Sequence, residues 1–212
     1  MLNSLETALS AERLATYLAL TSGDRKHSIL LYLWNAELSE SLQFPVHILE
    51  VSVRNAIHRE LSRAYGSNWY AHSRCSLKPP LTNIIRRVTD NLTTEGKPIT
   101  PPHVVASLTM GFWIYLLSKH YETLLWRSYL IKAFPFAPRP FERSKARVAL
   151  NNIRIIRNRI AHHEPILSKH PQQIYNLILE TTSWISPDTA NWVGHHCRFD
   201  QVWADRPPIK FQ

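Results

Sequence analysis

Cysteine, glycine and sustained strand-like alternation are all scarce in this 212-residue chain, and each shortage closes off a class of structure. The two cysteines, Cys75 and Cys197, lie far apart and form neither a disulfide framework nor a zinc-ligand spacing, so a reducing, cytoplasmic setting is the simpler expectation. The five glycines build no phosphate-binding loop. The most membrane-like run, 104–117, contains Ser107 and Thr109 between His103 and Lys119; it is too short to span a bilayer and reads as a buried helix. The N-terminus lacks the basic and apolar regions of a signal peptide, and no repeat or low-complexity tract occurs. Acidic residues are outnumbered 16 to 25, and the net charge of +9 calls for an anionic partner: RNA, DNA or anionic lipid.

What is present is helical periodicity and enough apolar residue, 44%, for a sizeable core. The pattern predicts an all-α domain over 1–185 with an irregular tail over 186–212, packed on it or partly flexible. Helices are expected over 10–20 and over 25–42, the second with an apolar stripe of Ile29, Tyr32, Leu33, Ala36 and Leu38. Pro45 suits the first turn of a third helix, with Val46, Leu49, Val53, Ala56, Ile57 and Leu61 facing the core and Gly66 as its stop. Pro79 and Pro80 lead into a helix ending near Gly96, and 97–102 is a proline loop. Helices follow over 102–107 and 112–131, the latter carrying Trp113, Tyr115, Tyr121, Trp126 and Tyr129 as core or interface aromatics. After Pro135, Pro138 and Pro140 come a long helix over 141–162, ended by Pro165, and one over 171–184. The tail carries Trp192, Trp203, Pro207 and Pro208.

Charge concentrates on the helix over 141–162. From Arg139 to Arg159 stand Arg139, Arg143, Lys145, Arg147, Arg154, Arg157 and Arg159 against the single acid Glu142, an excess that is two-thirds of the chain's +9. At about 100° per residue, Ala146, Ala149, Ile153, Ile156 and Ile160 form one stripe toward the core. Val148 and Ile155 fall on the far side with His162 beside them, so the far stripe can be a seam with a second copy.

The chemistry-bearing pair is Arg157 and His162. An imidazole titrates near neutrality and can take or give a proton, while a guanidinium stays charged and holds two phosphate oxygens. Five residues place the two about 140° apart around the axis, whereas Asn158, four before His162, sits under it and can orient the ring. Two helices crossing at a symmetric seam would pool the pair better than one. Histidines at a helix C-terminus also simply complement the dipole, and the arginines can be a solvated face. Elsewhere, Arg54-Asn55-Ala56-Ile57-His58 echoes the pattern one residue short, with Glu50 and Arg54 spaced as an i, i+4 ion pair of structural use. His195-His196-Cys197 is a weak metal candidate, and His163-Glu164 lacks the second histidine of a zinc-protease helix. Neither a metal nor another cofactor is expected.

Arg157-Asn158, three residues and His162 resemble the Arg-x4–6-His signature of HEPN domains. The wider context resembles the Abi-like (AbiD/AbiF) abortive-infection family through Leu31-Tyr32-Leu33-Trp34-Asn35, Glu50 to Ile57, Gly111-Phe112-Trp113-Ile114 and Arg157 to Ile166, spanning about 9–166 in order. The resemblance implies a HEPN-like helical bundle with additional helices, a homodimer, and a metal-independent endoribonuclease whose signature residues face one another across the dimer cleft. It implies His162 as general base or acid, Arg157 on the scissile phosphate and Asn158 as orienter, giving a 2′,3′-cyclic phosphate and a 5′-hydroxyl. Arg154, Arg159, His163, Lys145 and Arg147 would contact RNA, with Glu50 and Arg54 in support. Such toxins act in phage defence and can be held by an antitoxin or other inhibitor; Glu164 stands where some carry a modifiable tyrosine. Some HEPN domains only bind RNA or dimerise, and that alternative stays open.

Overall fold

The computed structural model describes residues 2–207, and among them the chain is all-α. Ten α-helices occur: α1 (Leu2–Leu9), α2 (Ala11–Leu20), α3 (Arg25–Tyr65), α4 (Leu81–Thr94), α5 (Pro101–Ser107), α6 (Met110–Tyr115), α7 (Arg143–Ala161), α8 (Pro171–Ser183), α9 (Pro187–His196) and α10 (Phe199–Ala204). No helix among the described residues is long and apolar enough to cross a membrane.

The spine is α3. Asp24 caps its start by accepting from His27 N at 3.0 Å, and Gly66, at φ 87°, closes it where a side chain would be strained. Its 41 residues form one helix where the sequence predicts two, and Pro45 lies inside rather than at a start. An interior proline removes one ladder bond, here the one to Ser41 O. Cys197 Sγ donates to that oxygen at 3.4 Å instead, and burial pushes its thiol up, which keeps the proton on the donor. The apolar period runs without a break from Leu31, Trp34, Leu38 and Leu42 to Val46, Leu49, Val53, Ala56, Ile57 and Leu61, all buried. The stripe expected over 29–38 is right in part: Leu38 is buried and Tyr32 packs against the core, but Leu33 is 52% exposed and Ala36 is exposed, while Trp34 and Asn35 are buried instead.

The expected helix over 112–131 is also corrected. After α6 the chain makes a 3₁₀ turn (Lys119–Tyr121), a π turn (Glu122–Trp126) and another 3₁₀ turn (Leu130–Ala133). Breaking the helix lets Trp113, Tyr121, Leu125, Trp126 and Leu130 all reach the core, which one straight stripe could not do. Arg143 Nη1 satisfies Leu117 O at 2.6 Å, and Tyr121 Oη accepts from Lys78 N at 2.9 Å.

Over 187–204 the tail is more regular than its sequence signals: α9 and α10 pack on the bundle. Phe199 is fully buried, its ring stacked on Tyr175 at 4.5 Å, and Trp34 Nε1 donates to Val202 O at 2.9 Å. Pro208 lies outside the described residues. At the other end α1 buries nothing and is tied to α3 by Arg25, which bonds Glu6 and Asn3.

Candidate active site at the crossing of α3 and α7

Alanines at 146 and 149 with Leu150, Ile153 and Ile156 form the buried face of α7, which packs on α3, α6 and α8. Ile160 is half-buried at the end of that stripe. The helix ends in a Schellman motif: His163 N donates to Ile160 O at 3.0 Å and Glu164 N to Arg159 O at 2.8 Å, with His163 in the left-handed region at φ 55°. An ion pair, Arg159 Nη1 to Glu164 Oε2 at 2.9 Å, stands where such motifs usually carry an apolar contact.

Three elements clamp the turn that follows. Arg159 donates twice to Pro165 O, at 3.0 and 2.8 Å. Buried Asn35 on α3 accepts from Ile166 N at 2.9 Å, and Arg13 on α2 bonds His163 O. A non-glycine residue in the left-handed region costs about 1–2 kcal/mol, so its presence here reflects this over-determined frame.

Arg157 leans toward α3, where its Nε lies 3.5 Å from Glu50 Oε2. Glu50 thus takes Arg157 as its ion partner, not Arg54 as i, i+4 spacing predicts; Arg54 Nε instead contacts Asn55 Oδ1 at 3.4 Å. The Glu50–Arg157 pair forms a ridge between two depressions. On one side is a cavity of about 170 Å³ lined by Gln43, His47, Ile160 and Ala161. On the other is a groove of about 430 Å³ between α7 and the 106–111 segment, lined by Thr109, Gly111, Arg154 and Asn158. A third depression, of about 410 Å³, continues past Gln43 to Ser39, Tyr32 and His163.

The structure therefore brings Arg157, Glu50, Arg154 and Asn158 together. His162 lines none of these cavities: it caps α7 through its backbone, N to Asn158 O at 3.0 Å, and its exposed ring makes no hydrogen bond among the described residues. The expected bond from the Asn158 amide to that ring is absent among the described residues, and Asn158 is one of the residues that line the 430 Å³ groove.

The basic run divides in two. Arg143 bonds Leu117 O and Glu122; Lys145 lies 3.6 Å from Glu180 and over the Trp184 ring; Arg159 holds the turn. These three, with Arg139 set against Phe134 O, serve the fold. Arg147 and Arg157 are exposed and Arg154 is half-buried, Arg154 oriented by Asn151 Oδ1 at 3.0 Å and Arg157 paired with Glu50 across the α3–α7 crossing. On the outward face Val148 and Ile155 are 58% and 44% exposed, as the second apolar stripe requires.

Other candidates resolve into structure. His58 accepts from Trp69 Nε1 at 2.9 Å through Nδ1, and desolvation holds its pKa below the usual range. His195 and His196 meet edge to face at 5.0 Å while the Cys197 thiol points to Ser41 O, so the three do not converge. Sequence reasoning missed Gln43, His47, Asn35, Arg13 and the 106–111 wall. Gln43 and His47 share a helical face with Glu50, a signal that treating Pro45 as a helix start conceals.

Comparison of the chain with protein-family models, with curated proteins and with solved structures yields no match.

Proposed function

We propose that the chain is a metal-independent endoribonuclease of the HEPN type, working as a homodimer in which each copy supplies Arg157 and His162. The observation that carries this reading is the presentation of Arg157: 44% exposed and lining two cavities, with Nε as its nearest atom to Glu50. A guanidinium held by its Nε edge keeps its fork for two phosphate oxygens.

In the reaction, His162 takes the proton from a ribose 2′-hydroxyl and that oxygen attacks the adjacent phosphorus. The P–O5′ bond breaks, a protonated imidazole gives its proton to the leaving oxygen, and a 2′,3′-cyclic phosphate and a 5′-hydroxyl result. Arg157 stabilises the charge gathering on the phosphorus oxygens. The uncovered Val148 and Ile155, beside His162 on α7, support a seam that carries the histidine to a second copy's site. Cleavage of single-stranded RNA in excess EDTA tests the reading: Arg157→Ala and His162→Ala should each abolish it while helical content is kept, and unchanged cutting by both variants would refute it.

A second reading, an RNA-binding or scaffold dimer without cleavage, is favoured by one observation: among the described residues nothing hydrogen-bonds the His162 ring. It predicts salt-sensitive RNA binding that survives His162→Ala with no product formed.

A further inference from the structure

We propose that the groove between α7 and the 106–111 segment is a nucleotide subsite, which holds one residue of a single-stranded RNA next to the phosphate that Arg157 grips. The inference rests on the nuclease or RNA-binding reading for its substrate class, and adds where the chain lies and what reads it.

Size separates the depressions. Ligand pockets run from roughly 300 to 1,000 Å³; the groove, at about 430 Å³, is in that range, and the cavity across the ridge, at about 170 Å³, is not. Charge separates the remaining two. The depression of about 410 Å³ is lined by no lysine or arginine and includes Glu40. The groove carries Arg154 and Arg157, with Glu50 its single acid, so a polyanion passing over Arg157 is drawn to that side.

The lining also suits a base. Asn158 offers an amide with both a donor and an acceptor, the pairing that reads a base edge. Thr109 precedes α6 yet makes no capping bond with its side chain, so its hydroxyl is not consumed by the helix. Gly111 keeps the space open: a Cβ there would meet only Thr109 Oγ1, at 3.7 Å. The wall is fixed from behind, because buried Trp113 donates from Nε1 to Leu108 O at 3.3 Å. This gives the Gly111-Phe112-Trp113 stretch a division of labour, glycine toward the groove and aromatics toward the core.

The test is binding of labelled oligo(A), oligo(C), oligo(G) and oligo(U) by fluorescence anisotropy in EDTA, on a His162→Ala background so that no probe is consumed. Gly111→Leu should weaken binding about tenfold or more, the loss of one base contact. Thr109→Val should alter the ranking of the four oligomers. Binding unchanged in both Gly111→Leu and Thr109→Val overturns the subsite, as does an absence of any RNA binding. Cleavage by the unaltered chain is scored separately. A nuclease indifferent to both variants loses only the subsite; a protein that binds through the groove and never cuts loses only the nuclease.

Discussion

Removing the Asn35 amide should loosen the turn that carries His162 and His163, and the cost can be worked from one bond. Asn35 is 6% exposed, and its Oδ1 accepts from Ile166 N at 2.9 Å, joining α3 to a segment 131 residues away. Asn35→Ala leaves that N–H buried and without an acceptor, a penalty of about 1–3 kcal/mol. For a chain of this length each kcal/mol moves Tm by about 2–4 °C, so a loss of about 2 kcal/mol lowers it by about 4–8 °C. Thermal unfolding followed by circular dichroism measures the shift, and hydrogen exchange at the Ile166 amide locates it. The turn is also held by Arg159 and Arg13, so the variant should still fold. RNA cleavage should fall with Arg157 and His162 both intact. A Tm within about 1 °C of the unaltered chain, with Ile166 still protected, would refute the assignment of Asn35 as a clamp.

His58 gives a pH dependence. Desolvation lowers its pKa in the folded state, so the unfolded chain binds the proton first as pH falls. Its contribution to stability is complete above about pH 6.5, the unfolded value, and is lost as pH drops from there through the folded pKa. Denaturant midpoints at pH 7.5 and 5.5 should therefore differ less in His58→Asn, which keeps an acceptor for Trp69 but cannot protonate. At position 163 the left-handed backbone sets an order of stability: glycine at or above histidine, and valine lower by about 1–2 kcal/mol, read from Tm. Ile155→Asp should leave the monomer's melting intact, abolish a dimer in sedimentation equilibrium and take RNA cleavage with it; a dimer that persists removes the α7 face from the seam. With Arg147, Arg154 and Arg157 as the members of the basic run proposed to meet phosphate, the run's part of the logarithmic salt slope for single-stranded RNA should be about −2 per chain, against about −5 if all seven engaged.

Which parts of the fold were legible follows from what is local. The α2 start at Ser10, the Gly66 stop and the end of α7 are set by caps and apolar spacing within a few residues, and each lies within about two positions of its expected place. The unity of α3 was not legible, because the group that answers Pro45 is a thiol 156 residues from Ser41. The broken segment after α6 was not legible either, since its backbone is set by where Trp113, Tyr121 and Trp126 find core space, a tertiary matter that overrides helical period. In the site, the signature residues could be named from the chain, but their partners could not. Glu50 has Arg54 within helical reach and chooses Arg157 across a helix crossing; the groove wall comes from the α5–α6 junction, more than 30 residues before α7 begins at Arg143.

Those cross-element contacts bear on why the pair should be half of a site. Arg157 is directed to α3 by Glu50, while His162 ends α7 with an exposed ring and, among the described residues, no orienting bond. The residue spaced to orient it, Asn158, lines the groove beside Arg157 and makes no bond to the ring among the described residues. A general base works when held within hydrogen-bond reach of its proton, and a free exposed imidazole is not so held. The fold nevertheless invests in the turn that positions its backbone: two arginines, a buried asparagine and a left-handed residue. A rigid stem with a free ring suits a side chain completed by contact with something outside the chain. Exposed apolar residues on the same helix, Ile155 and Val148, stand one and two heptads before His162. On the proposed reading, a second copy seated on that stripe would meet His162 as it docks, dimerisation and alignment of the base would be one event, and a monomer held apart should not cleave RNA, for a geometric reason rather than for want of a residue.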